Sequence, residues 1–512
     1  MPATDLLEQP FGTISELIAC AARDRPDQRA LIQDARAIDF RELDRLMDRV
    51  AVGLVRTGVR PGEAIAICAA TSIEYAVVFL GAVRAGVAVA PLAPSSGEES
   101  LARMVADCGA KLVFVDATTA QAVTKGGALA PQIALDGAAF TAFLGAEGAS
   151  FDPPAIDPDA PFNIIYSSGT TGSPKGIVQP HRMRWAHVRR GGDSGYGPDA
   201  VTLVSTPLYS NTTLVSFFPA IALGGSVVLM AKFDASQFLA LSARERVTHA
   251  MLVPVQYQRL VDAPEFTRTD LSSYRMKFCT SAPFSAALKR RVIEGWPGGL
   301  VEYYGMTEGG GSCVLAAHQF PDKLHTVGTP ALGHDVRLID DQGKEVAPGE
   351  LGEVVGWSPL AVMTGYHGQP GKTAEAEWFD AAGRRFIRTG DVGRFDSDGF
   401  LTLVDRKKDM IISGGFNVYP SDLEATLAQH PAVREAAVVG VSSAQWGETP
   451  VAFVVVADGA RASAEELRTF VNERVGKTQR LSALRIVSSL PRSPIGKVLK
   501  RELRAAYEAE KS

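Results

Sequence analysis

Four segments combine residue types and spacings that can do chemistry. The first, Tyr166-Ser-Ser-Gly-Thr-Thr-Gly-Ser-Pro-Lys-Gly176, sets five hydroxyls among three glycines after the apolar run FNII and carries Lys175. Glycines let backbone N–H groups approach a polyanion, hydroxyls donate to phosphate oxygens, and a lysine offsets the charge. A Walker A loop requires G-x-x-x-x-G-K-[ST], whereas Lys175 lies between Pro174 and Gly176, so this is a phosphate loop of another type. A flexible surface linker would not mix lysine, proline and hydroxyls in this way.

The second segment is Tyr303-Tyr-Gly-Met-Thr-Glu308, a strand end running into Gly309, Gly310 and Gly311. One carboxylate there suits Mg²⁺, which takes one or two protein carboxylates plus phosphate oxygens and water, but read alone the segment fits a structural turn as well. The third is Phe386-Ile-Arg-Thr-Gly-Asp391. A carboxylate at a strand-to-turn corner can accept both hydroxyls of a ribose, and alone Asp391 fits a turn-capping aspartate equally. The fourth, Leu490-Pro-Arg-Ser-Pro-Ile-Gly-Lys497, is a stiff loop presenting one lysine, by itself an ordinary surface charge.

The elements around these segments alternate. Thr13-Ile-Ser-Glu16 is a capping-box pattern, residues 40–55 have helical apolar spacing, 64–70 read as a buried strand and 72–86 as a helix packed on it. VTLVSTP, GSVVLM, HAMLVPV and KFCTSA continue the pattern as strands between helices, which argues for α/β layers with mostly parallel strands. Near residue 400 the character changes to α+β: FLTLVD and DMIISGG as short strands, capping boxes at Ser421–Glu424 and Ser463–Glu466, and a closing basic helix. The expected fold class is therefore α/β, a large N-terminal domain of layered sheets and helices over 1–404 and a small α+β C-terminal domain over 409–512, with 405–408 between them.

Composition excludes several classes. The 512 residues are 46% hydrophobic and 21% charged, ordinary for a globular chain. A net charge of −5 gives no bulk attraction to nucleic acid. Five scattered cysteines argue against a disulfide framework or a zinc site, and with a start lacking an apolar segment they point to a cytoplasmic protein. Residues 201–231 carry no charge, yet Pro207, Pro219 and Gly224-Gly225 break the run, so no membrane span is expected. Gly192-Asp-Ser-Gly195 matches the tetrapeptide around the serine of chymotrypsin-like proteases, a coincidence in a chain of this class.

Together, in this order and spacing, the four segments resemble the acyl-adenylate-forming superfamily, which includes AMP-forming acyl-CoA synthetases, luciferases and peptide-synthetase adenylation domains. The resemblance covers about residues 12–505 and adds the stretch from Asp405 to Pro420. It implies a mobile C-terminal lid and a set of roles. Thr170, Thr171, Gly172 and Lys175 cradle the ATP phosphates, Tyr304 stacks near the adenine with Ser281, Ala282 and Pro283 beside it, and Asp391 and Arg406 grip the ribose. Thr307 contacts the α-phosphate, Glu308 holds Mg²⁺, and Lys497 bridges the incoming carboxylate and the α-phosphate. Lys408 is the hinge, and Gly414 and Gly415 line the CoA tunnel.

By the same resemblance the acyl pocket includes Trp185, Ser210, Asn211, Thr212, Tyr303, Gly309 and Gly310. Ser210 stands where the family often has a histidine, which departs from the usual gate. Trp185 and Tyr303 favour a flat aromatic or cyclic acid, the glycines favour room for a longer chain, and Trp185 fits core packing equally well. The expected function is an ATP-dependent carboxylic acid–CoA ligase for an aryl, alicyclic or fatty acid, using ATP, Mg²⁺ and coenzyme A, and open to forming a homodimer. The alternatives are a stand-alone enzyme loading a carrier protein and a catalytically silent nucleotide-binding homologue. Lys497, in an accessible basic loop, is also an expected site of acetylation, which would remove its charge.

Overall fold

The computed structural model describes residues 2–167, 175–413, 416–443, 446–476, 479–493 and 496–511. Two compact units emerge: Met1–His325, Pro330–Asp335 and Gly356–Ile387 form the first, and Thr326–Thr329, Val336–Val355 and Arg388–Ser512 the second.

The first unit is built on two sheets. One runs through Cys313–Ala316, Gly299–Tyr304, Met276–Cys279, His249–Leu252, Val201–Val204, Ser226–Leu229, Arg29–Gln33 and Arg36–Asp39. Its central strands are parallel, and its two flanking strands antiparallel. The other orders Gly365–Tyr366, Lys175–Pro180, Pro161–Ser167, Ala88–Pro91, Ala64–Cys68, Val113–Val115 and Gln132–Ala134. The unbroken apolar strands expected from the sequence are buried along their length, as Ala64–Cys68 and Ser226–Leu229 show.

Local signals place the helices. Thr13 accepts from the Glu16 N–H while the Glu16 carboxylate returns to the Thr13 N–H, 2.8 Å away, completing the capping box. Ser72 caps the Ile73–Arg84 helix, of whose 12 residues all but Glu74 are buried. Its Arg84 guanidinium is satisfied by Ser15, Asp44 and Asp48. The uncharged 201–231 stretch resolves into strand Val201–Val204, helix Asn211–Ala222 with Pro219 inside it, and strand Ser226–Leu229. No helix among the described residues is long and apolar enough to cross a membrane.

In the second unit, the distal half of strand Arg385–Phe395 pairs with Leu401–Arg406, and Gly447–Val456 forms the centre of a separate sheet, pairing with Val433–Ser443 and Ala483–Ile486. The turn at residues 407–409 lies between these two sheets. Two expectations change here. Asp391 is not at a corner, because the strand runs on to Phe395 and pairs Asp391 with Arg406. Ser421 does not cap a helix, because Pro420 takes its first position. The Ser421 hydroxyl instead donates to the Val404 carbonyl, and its N–H donates to Asp405 at 2.9 Å.

Candidate active site

Parallel register brings two of the expected segments, Ser281–Pro283 and Tyr303–Glu308, to one sheet end. Cys279 pairs with Glu302, so Ser281, two residues past its strand, and Tyr304, the last residue of the neighbouring one, stand at the same level. Ligands of α/β proteins gather at the carboxyl ends of such strands. Ser281 has φ of 81°, a left-handed conformation costly for a side-chain-bearing residue, and its hydroxyl hydrogen-bonds that of Thr212. Ala282 is half-buried and Pro283 exposed. Ser210 is the N-cap residue of the Asn211–Ala222 helix.

Tyr366 links the phosphate loop's lysine to the Thr307–Glu308 segment, and sequence reasoning missed it. Strand Gly365–Tyr366 pairs with Lys175–Pro180, and the Lys175 ammonium stands 4.9 Å from the Tyr366 ring centroid. The Tyr366 hydroxyl donates to Glu308 Oε1 at 2.9 Å. Burial and the Glu308 charge both push the phenol's pKa up, so it stays a donor. Two places along the strand from Ile177, on the same face, Gln179 donates to the Thr307 carbonyl at 2.6 Å. The cation and the carboxylate assigned to a phosphate-bearing ligand are thus tied to one frame.

Gln179 belongs to a buried polar network that was also missed. Its Oε1 accepts from Asn163 Nδ2 at 2.9 Å and from Arg184, whose Nε donates to Asn163 Oδ1 at 3.0 Å and Nη2 to Asn211 Oδ1 at 2.9 Å. Since arginine only donates, every amide orientation is forced, and Asn211 turns its oxygen to Arg184 and its NH₂ away. Arg184 is 1% exposed, and burial lowers its pKa to about 9. The clue lay in the polar residues Gln179 and Arg184 set among the apolar residues of the IVQPHRMRW stretch.

Three acyl-pocket expectations are corrected. Trp185 lies in the main core, edge-on to Phe11 at 6.3 Å and packed over Gly12, where a Cβ would meet its Cη2 at 2.9 Å. Gly309 and Gly310 do not open a pocket floor. A Cβ on Gly309 would sit 2.3 Å from the Ala361 carbonyl, and one on Gly310 2.6 Å from that of Gly356, both with positive φ. Backbone from residues 356–362 already fills that space. Tyr303 stays partly exposed, its hydroxyl 3.3 Å from Ser194 Oγ. The Gly192–Ser194 turn holds no protease triad: the His249 ring bonds the Ser194 carbonyl at 3.2 Å, not its hydroxyl.

In the second unit, Arg406 Nε lies 3.1 Å from Asp391 Oδ1, joining the two groups expected to hold a ribose. Lys407 is held by Asp341 at 2.7 Å and Glu353 at 3.2 Å, and the next residue, Lys408, is exposed on the turn. Lys497 is exposed on a tight reversal: its carbonyl accepts from Ser493 N–H at 2.8 Å, its own N–H donates to Ser493 Oγ at 3.2 Å, and Gly496 before it takes φ of 80°. Thr170, Thr171, Gly172, Gly414 and Gly415 lie outside the described residues.

Comparison with known proteins identifies the family. The AMP-binding enzyme family matches residues 18–367, and the AMP-binding enzyme C-terminal domain matches residues 422–497. A feruloyl-CoA synthase from Amycolatopsis sp is 35% identical over 95% of this chain and 97% of its own. The fatty acid–[acyl-carrier-protein] ligase ScoC of Streptomyces coeruleorubidus is 32% identical over 98% of each chain. The crystal structure of ATP-bound MatB from Rhodopseudomonas palustris superposes with a TM-score of 0.87 at 30% identity, covering 97% of this chain and all of that one. The chain belongs to the AMP-binding enzyme family, the acyl-adenylate-forming enzymes.

Proposed function

We infer that the chain is an AMP-forming acid–CoA ligase, which activates a carboxylic acid with ATP as an acyl-adenylate and passes the acyl group to coenzyme A. The observation that carries this reading is the Lys175–Tyr366–Glu308 frame, a cation and a carboxylate fixed on one tyrosine beside Thr307. A carboxylate is a poor acyl donor because its leaving group is oxide. Bonding its oxygen to the α-phosphorus, while the bond from that phosphorus to pyrophosphate breaks, replaces oxide with AMP. The CoA sulfur then bonds the acyl carbon, the carbon–oxygen bond to AMP breaks, and the thiol proton passes to solvent.

Residue roles follow the charges. Lys175 meets the phosphates, Thr307 the α-phosphate, and the Asp391–Arg406 pair the ribose. Lys497 brings a positive charge to the meeting of two anions. Glu308 has a second carboxylate oxygen beyond the one bonded to Tyr366, and no trio of metal-ligating side chains occurs among the described residues. That donor set suits Mg²⁺ carried on the nucleotide, touched by one carboxylate and easing the phosphate charge. Tyr304, Ser281, Ala282 and Pro283 sit beside the adenine, and Ser210, Asn211, Thr212 and Tyr303 face the acyl group. Residues 1–404 act as the adenylating body, 405–408 as hinge and 409–512 as lid, with Gly414 and Gly415 at the CoA path.

The direct test is ATP–pyrophosphate exchange that depends on an added carboxylic acid, followed by AMP release with CoA. Exchange with no added acid requirement, or none with any acid, would overturn the reading. Transfer to a holo carrier protein but not to CoA would move the acceptor. The hinge has its own expectation. Proline at 408 fixes φ on the exposed turn and removes an N–H. Lys408→Pro should leave one half-reaction near normal and slow the other roughly tenfold or more. Single-turnover assays of adenylation and of thioester formation from supplied acyl-AMP check this; equal loss of both would count against a hinge.

A further inference from the structure

His334 receives more hydrogen-bond donors than a neutral ring can accept. Arg190 Nη1 lies 3.1 Å from its Nε2, and the Ser312 N–H donates to its Nδ1 at 3.1 Å. A guanidinium and a backbone amide only donate, while a neutral imidazole has a single accepting nitrogen. With the proton on Nδ1, the Ser312 hydroxyl 3.0 Å away can accept it but the Ser312 N–H meets an N–H; with it on Nε2, Arg190 does. Burial and the Arg190 charge lower the His334 pKa to about 4, so a second proton is no remedy.

Among the described residues neither Arg184 nor Arg190 pairs with a carboxylate, and the charged groups acting on nearby His187 are Arg190, Arg184 and His334, all basic. The His187 Nδ1 is buried with no hydrogen-bond partner among the described residues. Arg184 donates through Nε and Nη2 to the amide oxygens of Asn163, Gln179 and Asn211, while its buried Nη1 has no hydrogen-bond partner among the described residues. Among the described residues Arg190 has only the contested nitrogen as a hydrogen-bond partner, and with His334, Ser194 and Tyr303 it is only partly covered. Tyr303, which carries the strand into the Thr307–Glu308 segment, is close enough that the Arg190 charge acts on its phenol.

We propose that Arg190 and His334 receive an oxygen acceptor carried on the acyl group away from its reacting carboxylate, and so select acids bearing such an oxygen, a second carboxylate or a phenolic or alcoholic hydroxyl. The Nε2–H tautomer then satisfies the His334 ring, Ser312 and Arg190 together: Nδ1 accepts from Ser312, and His334 Nε2–H and Arg190 Nη1–H both donate to the ligand. This rests on the adenylating function above and on Tyr303 facing the acyl group.

The test uses the full chain and two matched series: cinnamic, 4-hydroxycinnamic and 4-carboxycinnamic acids, and hexanoic, 6-hydroxyhexanoic and adipic acids. The wild-type kcat/KM for adenylation should favour at least one acceptor-bearing acid over its parent by about 10- to 100-fold, the range for hydrogen bonds to a charged group. Which acceptor wins separates an anionic from a neutral partner. Arg190→Met should abolish the preference while leaving the parent acid within about threefold. Equal wild-type use of all members of both series, or equal loss for all in Arg190→Met, overturns the proposal but not the ligase function. If the variant fails to fold, the wild-type series still decides, with Arg190→Lys as the second variant. No turnover with any acid overturns both readings.

Discussion

Lys497→Met should slow acyl-adenylate formation by about 10²–10³-fold, the usual loss when one charge-stabilising group leaves a preorganised site. The two reactants, a carboxylate and a triphosphate, are both anionic, and negative charge grows on the phosphorane oxygens as they meet. Lys497 is exposed on a loop held by its own backbone bonds to Ser493, so losing its side chain removes charge without removing packing. Acid-dependent pyrophosphate exchange should therefore fall while the melting temperature holds. Thioester formation from supplied acyl-AMP should stay close to normal, because no bond to phosphorus is made in that step. Acetylation of the same amine should mimic the substitution. Normal exchange by the methionine variant would remove Lys497 from the mechanism.

The sequence revealed segments more readily than their meetings. The capping boxes at Thr13 and Ser463 were readable because their partners lie three residues away. The pattern at Ser421 misled because a nonlocal acceptor, the Val404 carbonyl, took the hydroxyl, and Pro420 supplied the helix start. Asp391 and Arg406 were legible as a pair, yet only strand register explains why they touch. Tyr366 carried no signal, since its role depends on a short strand pairing beside Lys175. The glycines at 309 and 310 look identical to pocket-opening glycines in sequence, and only the carbonyls of Ala361 and Gly356 reveal what fills the space.

A second large effect should come from the strand that carries Tyr303 and Tyr304. Glu302 on that strand is 4% exposed and Lys289, on the helix packed beneath, 1%; they form a buried ion pair, and Lys289 also donates to the Leu324 carbonyl at 2.8 Å. Burial raises the Glu302 pKa, while Lys289 lowers it. Removing the lysine leaves an uncompensated carboxylate, so Lys289→Met should cost about 3–5 kcal/mol at neutral pH. The loss should depend on pH in a defined direction. The unpaired Glu302 holds its proton in the folded state over a range where the unfolded chain, with a glutamate pKa of about 4.3, has released it. Stability of the variant therefore falls as pH rises through that range, and the deficit shrinks as pH drops toward 4. Denaturant unfolding of wild type and variant between pH 4 and 8 measures this. Adding Glu302→Leu to Lys289→Met should recover most of the stability at pH 7, because an apolar pair of similar volume leaves no buried charge. A single variant as stable as wild type at pH 7, or a deficit that grows toward acid, would show that the pair does not brace this strand.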